Sequence, residues 1–364
     1  MRQRDSAAEK NTCGAHVSCI ITAGAAGTQR RAFEMTGTDA SECEASTSGR
    51  DWSWVPYPEG HRKRRGFIAN YLDAVKDRES ATERARYSDA VTKALDGEAF
   101  AELRRGATVS FDPSDHDLSD AFLDLIDTSG LVGGDDDACL SRLHERLPDF
   151  DRGKSHLEDK ARLLAPLARP GPRRDRFQNA YDRLMLEVVA PHFARGLPAE
   201  TKLLYASFPC VRIQQPCDFH TIRAHVDTMY LHPHGSLNAW LPLTTTRGAN
   251  SLHVESEPGR EDFAPIELSL GELAIFDGAR CSHFTVANTS DETRVSLDFR
   301  VVPGCAYDPD ANISRVKGTG AQCYNVGGYY SVAEKIGRDW IKTIAGTPSV
   351  RHGFPHTNPE TVEE

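Results

Sequence analysis

The sequence predicts an α+β protein, a helical N-terminal half packed on a core of short strands of barrel or jelly-roll type. Two observations carry this. In the first half, apolar residues fall on one helix face at Phe67, Ile68, Tyr71, Leu72 and Val75, and again at Phe177, Tyr181, Leu184, Met185, Val188 and Val189. From about Lys202 the texture changes to short apolar-rich runs broken by Pro, Gly, Asn or Asp. Regular short strands at such spacing read as a barrel or jelly roll.

Taken in order, residues 1–50 are rich in Ala, Ser, Thr and Gly without a sustained period and are expected to be a disordered extension. Order is expected from DWSWVPYPEG onward, as a single domain over residues 51–345. Its parts are a helical section (51–200), the strand core (201–303) and a C-terminal segment (304–345), followed by a flexible tail at 346–364. Pro191 is expected to end or kink the second helix. The strand candidates are KLLYASF, CVRIQQ, HTIRAHVD, SLNAWLPL, NSLHVES, APIELSL, ELAIFD, CSHFTVAN and TRVSLDFRVV. Beyond Pro303 the chain loosens and then offers one short helix, SVAEKIGRDWIKTIAG.

Composition narrows the function classes. With 39% hydrophobic residues the chain has enough material for a sizeable core, and no apolar run approaches a membrane span. A formal charge of −10 argues against a nucleic-acid surface, which needs clustered Lys and Arg. Nine cysteines without a CxxC pair point to reduced thiols and a cytoplasmic protein. The run Cys13–Gly27 has the weakly apolar centre of a targeting segment, but Asp5 and Glu9 precede it where positive charge belongs.

Chemistry concentrates in HTIRAHVDTMYLHPHGSLNAWLPLT, His220–Thr244. Two histidines and a carboxylate on one face of an ion hold iron and leave three positions open. On a strand, residues i and i+2 point the same way, so a His-x-Asp pair supplies two of those ligands. Three such pairs occur: His156-x-Glu158, His225-x-Asp227 and His253-x-Glu255. His156 lies in a charged connector and reads as a solvated histidine. His253 and Glu255 fit an ordinary half-exposed strand. His225 and Asp227 have a distant partner, His283, in a strand after a Gly turn. His220 is expected to point away from His225, and His232 and His234, astride Pro233, to be loop or rim residues. In the last strand Arg294, Ser296, Asp298 and Arg300 alternate with Val295, Leu297, Phe299 and Val301. The polar face is expected to look into a wet barrel mouth or onto solvent. Arg294 is placed to take a carboxylate with its planar fork, or to be part of a salt-bridged strand face.

His225-x-Asp227, His283 and then Arg294-x-Ser296 resemble the signature of the Fe(II)/2-oxoglutarate-dependent dioxygenases. SLNAWLPLT, NSLHVES and TRVSLDFRVV are most similar to a branch typified by streptomycin-biosynthesis oxygenases, and more distantly to phytanoyl-CoA hydroxylases. The likeness covers about Leu203–Pro303. It implies a double-stranded β-helix (cupin-like) core, with His225, Asp227 and His283 holding Fe(II). It implies that Arg294 grips the distal carboxylate of 2-oxoglutarate beside Ser296, with Asn238 and Trp240 lining that pocket. O₂ would be the second cosubstrate, and the products succinate, CO₂ and an oxidised C–H of a small metabolite in specialised metabolism. Hydroxylation, desaturation and ring closure all stay open, as does the oligomeric state. Arg223, Arg300 and Arg212 are the substrate-binding candidates, suggesting an anionic or amino-acid-derived substrate; Arg300 reads equally well as structural. The alternatives are a cupin-like metalloenzyme that does not use 2-oxoglutarate and a non-catalytic metabolite-binding barrel.

Overall fold

A ten-residue strand, Arg294–Pro303, is the spine of the molecule, and its alternating pattern explains what packs on either side. The computed structural model describes residues 66, 68–69, 87–127, 139–147, 161–198, 200–316, 322–351 and 353–357. The expected N-terminal extension therefore lies outside the described residues, as does most of the helical pattern beginning at Phe67. At its start Gly66, Ile68 and Ala69 are helical.

Among the described residues thirteen strands are numbered in chain order: β1 (Ala107–Ser110), β2 (Leu203–Ala206), β3 (Cys210–Gln214), β4 (Leu237–Pro242), β5 (Leu252–Val254), β6 (Ala264–Pro265), β7 (Glu272–Phe276), β8 (His283–Thr285), β9 (Arg294–Pro303), β10 (Tyr330–Ile336), β11 (Asp339–Ile344), β12 (Ser349–Arg351) and β13 (Phe354–His356). The large sheet runs β1-β7-β4-β9-β2-β10-β11, with β3 also paired to β9; a small sheet runs β6-β5-β8. Pairing between these strands is antiparallel throughout. The result is a mixed fold of helices and antiparallel sheets.

Val295, Leu297, Phe299 and Val301 of β9 are all fully buried in the main core. Phe299 among them meets Tyr181 of the helix Pro172–Leu184 edge-on at a centroid distance of 5.3 Å. Tyr181 and its neighbours Phe177 and Leu184 are the residues whose spacing marked this helix face. The other face of β9 is polar but not wet: Arg294, Ser296 and Arg300 are buried, and only Asp298 is partly exposed. Buried groups of this kind need partners, so this face is where a site belongs.

Several expectations need correcting. Of the two outcomes expected at Pro191, an end or a kink, the helix does not end there. The chain passes from Leu184 into a π-helical stretch, Met185–Val189, and on through Ala190–Phe193. A proline lacks an N–H and crowds the carbonyl one turn back, and the wider π turn just before it relieves that crowding. The segment read as a C-terminal helix is the β10–β11 hairpin, turning at Gly337 with φ 66°. Its β-branched Val332, Ile336, Ile341, Thr343 and Ile344 suit a strand, and β10 is held by pairing to β2. Residues 349–356, assigned to a flexible tail, contain the β12–β13 hairpin. In the section read as helical, β1 pairs with β7 at the sheet edge. Finally, HTIRAHVD is not a strand: its one ladder position is His225, and a 3₁₀ turn, Asp227–Tyr230, follows. Among the described residues no helix is long and apolar enough to cross a membrane.

Candidate metal centre

Two chain segments distant in sequence are zipped together at the end of the small sheet. His225 and His283 exchange backbone hydrogen bonds, His225 N–H to His283 O at 3.2 Å and the reverse at 3.0 Å. The N–H of Asp227 donates to Gly278 O at 2.8 Å, and the Thr228 hydroxyl donates to Ala279 O at 2.8 Å. Gly278 is tight here: a β-carbon on it would lie 2.5 Å from the Asn238 amide. This zipper, rather than a strand through residues 220–227, brings His225, Asp227 and His283 together.

The three side chains offer ligand atoms that all lie within 4.8 Å of one another, and all three are buried. Asp227 Oδ1 stands 3.6 Å from His225 Nε2 and 3.7 Å from His283 Nε2. Each histidine is held from behind: Nδ1 of His225 lies 2.7 Å from Arg223 O, and Nδ1 of His283 lies 3.0 Å from Cys281 O. A carbonyl only accepts, so both Nδ1 atoms carry a proton and both Nε2 atoms turn toward Asp227. That is the tautomer a metal-binding imidazole needs. Phe276 packs edge-on against His283, and the exposed Tyr230 packs edge-on against His225.

Electrostatics favour the ligating protonation states. Burial alone would push the Asp227 carboxyl up, but the charge of Arg300 beside it holds it well below the usual carboxylate range. Burial, with His225 alongside, brings His283 down to about 4, so it is neutral at ordinary pH.

Arg300 is the closest partner of Asp227. Its Nε donates to Oδ2 at 2.9 Å and its Nη2 to Oδ1 at 2.8 Å, while Nη1 donates to Asp298 Oδ1 at 2.9 Å. Arg300, offered from sequence as substrate-binding or structural, thus has its guanidinium committed inside the protein. Arg212 is half-buried, with Nη2 3.5 Å from Asp298 Oδ2 and its guanidinium over the Phe354 ring. Arg223 is exposed.

The residues assigned to the cosubstrate share the polar inner face. Arg294 is buried opposite Gln214, and Ser296 lies between Arg212 of β3 and Pro242 of β4. The Ser296 hydroxyl, and both the Oδ1 and Nδ2 of buried Asn238, meet no hydrogen-bond partner among the described residues. Trp240 lies on the same face of β4 in an apolar cluster with Leu252, Leu268, Ala274 and Phe276. Of the other histidines, His220 is half-exposed and His253 stacks on Phe284. His232 is buried against the Tyr324 ring, not at a rim, and burial followed by the charge of Arg300 pushes it down to about 3. His234 is buried too. His156 lies outside the described residues.

Glu255, expected on an ordinary half-exposed strand, is instead a buried brace: its carboxylate accepts from Ser282 N–H at 2.6 Å and Glu261 N–H at 3.0 Å, fixing the strand start beside His283. Among the described residues, the triad is the one group of its kind. Two imidazoles and one carboxylate suit a divalent first-row ion and leave coordination positions for other ligands.

No family model matches the chain. It is 36% identical over 86 residues to the streptomycin biosynthesis protein StrG of Streptomyces griseus, an alignment covering 24% of this chain and 40% of that protein. The chain thus spans less than half the length of this relative. Among solved structures it is similar to a non-heme monooxygenase, ThoJ, in a nickel complex, with TM-score 0.35, 14% identity and coverage of 69% of this chain and 88% of that one. It is similar to a Pseudomonas putida prolyl-4-hydroxylase, with TM-score 0.28, 14% identity and coverage of 64% and 94%. The third is SnoN, a non-heme alpha-ketoglutarate-dependent epimerase from nogalamycin biosynthesis, with TM-score 0.29, 14% identity and coverage of 73% and 97%. All three scores lie below 0.5, so the reading of the site rests on its own geometry.

Proposed function

We propose that this protein is an Fe(II)- and 2-oxoglutarate-dependent oxygenase acting on a small molecule. The observation that carries the reading is the buried triad, with both Nδ1 atoms tied to backbone carbonyls and both Nε2 atoms facing one carboxylate oxygen. We read the two sheets as a double-stranded β-helix and residues 51–345 as its single domain, in a cytoplasmic protein.

His225, Asp227 and His283 would hold the iron. Bound there with 2-oxoglutarate and O₂, it supplies oxidation of an unactivated C–H, with succinate and CO₂ as coproducts. The protein's own share is geometry and electrostatics. Arg294 is the residue for the cosubstrate's distal carboxylate, because a buried guanidinium offers a fork of donors matched to that group. Ser296 and Asn238 bring buried polar atoms that have no partner among the described residues, which suits a pocket completed by a polar ligand. Trp240, in its apolar cluster, would line the other side of that pocket. Tyr230 and Arg223, both exposed beside His225, stand where a substrate would approach. With Arg300 and Arg212 engaged by carboxylates, Arg223 is the arginine left to meet an anionic or amino-acid-derived substrate. The partial similarity to a streptomycin biosynthesis protein supports a place in specialised metabolism.

The test is succinate formation from 2-oxoglutarate by protein loaded anaerobically with Fe(II) and then exposed to O₂, with Asp227→Ala as control. Slow turnover without added substrate, absent in the variant, supports the reading. Turnover retained in Arg294→Leu would favour a metalloenzyme with no use for 2-oxoglutarate. A folded, iron-loaded protein that neither forms succinate nor develops the visible absorbance of an Fe(II)–2-oxoglutarate complex contradicts the reading.

A further inference from the structure

We propose that Arg300, itself fixed by Asp298, is a positioning residue that restricts Asp227 to one-oxygen metal ligation. The inference rests on the reading of the triad as a metal site and concerns how that site keeps its open positions.

A carboxylate can bind a metal through one oxygen or chelate it through both. Chelation places the ion at the outer end of the carboxylate, in line with the lone pairs that both oxygens direct there. In this structure that end is taken: Arg300 sets Nη2 on Oδ1 at 2.8 Å and Nε on Oδ2 at 2.9 Å, a fork-to-fork pair. What remains is the other lone pair of Oδ1, the oxygen 3.6 Å and 3.7 Å from the two Nε2 atoms. One-oxygen ligation leaves three positions on a six-coordinate ion, enough for a two-point cosubstrate and O₂. Chelation by Asp227 would take one of them.

The guanidinium is itself held. Its third edge donates from Nη1 to Asp298 Oδ1 at 2.9 Å, and Arg300 and Asp298 sit two residues apart on β9, on the face shared with Arg294. Arg300 is buried, so its fork cannot swing out to solvent. Asp298 also offsets part of a positive charge that would otherwise oppose a divalent cation. Lysine in place of Arg300 keeps that charge but presents a single point of contact instead of a fork.

The test is Co(II) binding, because its visible absorption reports coordination as well as affinity. Wild type, Arg300→Lys and Asp298→Asn are titrated with Co(II) alone, with folding checked by circular dichroism and thermal melting of the metal-free proteins. Groups that orient metal ligands typically contribute about 10- to 100-fold to affinity. The proposal expects a loss of that size in Arg300→Lys, a smaller loss in Asp298→Asn, and a changed Co(II) spectrum in both. A merely structural role lowers the melting temperature and leaves affinity and spectrum as in wild type. Unchanged or tighter binding with the wild-type spectrum, in whichever variants fold, overturns the proposal; if Arg300→Lys does not fold, Asp298→Asn decides it. Absence of Co(II) binding in wild type is a separate pattern, and overturns the metal site together with this inference.

Discussion

His225 and His283 exchange both of their backbone hydrogen bonds, and in doing so bring two imidazoles to a centroid separation of 4.3 Å. The site is therefore built by main-chain pairing between a loop and a strand, and side chains added around it tune it. This makes the backbone next to the three side chains as consequential as the side chains themselves.

Gly278 is the sharpest case. Its carbonyl accepts from Asp227 N–H, and a β-carbon there would lie 2.5 Å from the Asn238 amide. Gly278→Ala should force Asn238 or the Asp227 loop to shift and weaken metal binding by at least about tenfold. Metal titration, with a thermal melt to verify folding, checks this. Wild-type affinity would mean that the loop absorbs the methyl group.

Ser296→Ala separates stability from cosubstrate binding. The hydroxyl is buried with no hydrogen-bond partner among the described residues, so removing it should cost less than about 0.5 kcal/mol or stabilise slightly. If the pocket is completed by 2-oxoglutarate, the same change should raise the KM for that cosubstrate several-fold. Melting curves and initial rates at varied 2-oxoglutarate measure the two effects independently.

The grouping of His225, Asp227 and His283 was legible in the sequence because it showed in residue type and spacing. The face of β9 was legible as well, since strict alternation survives in any strand with one face in the core. What escaped notice was tertiary. The commitment of Arg300 to Asp227 joins β9 to a loop, and nothing local to either segment reports it. Glu255 read as part of a half-exposed strand, since it alternates with Leu252 and Val254, yet its carboxylate is buried against backbone N–H groups. The β10–β11 hairpin was read as a helix because Ala, Glu, Lys and Arg are good helix formers; pairing with β2 overrides that weak preference.

Glu255→Ala should be costly for a residue outside the ligand set. It strips the acceptor from two buried N–H groups, each worth about 1–3 kcal/mol when left unsatisfied. Chemical denaturation of the metal-free variant should show a loss on the order of 2–5 kcal/mol. A change near zero would show that the 255–261 loop and Ser282 find other acceptors.

Acid should unfold the metal-free protein through its buried histidines. His232 and His283 are lowered to about 3 and about 4 in the folded state, below the ordinary value of 6.5. Between those values and 6.5 the unfolded chain binds protons that the folded chain does not. The stability that comes from keeping them neutral is full above about pH 6.5 and is lost as pH falls toward the folded values. Each contributes a slope of about 1.4 kcal/mol per pH unit in that window. His232→Phe, if it folds, should remove one of these slopes. An unchanged slope would mean that His232 is protonated in the fold.

The measurement that tests the central claim most directly is iron content. Wild type, His225→Ala, Asp227→Ala and His283→Ala are each incubated anaerobically with Fe(II), desalted and assayed for bound metal. The account predicts about one equivalent of iron per wild-type chain and near-complete loss in each folded variant, since three ligands act as one site. Equal iron in all four proteins, or none in folded wild type, would contradict it.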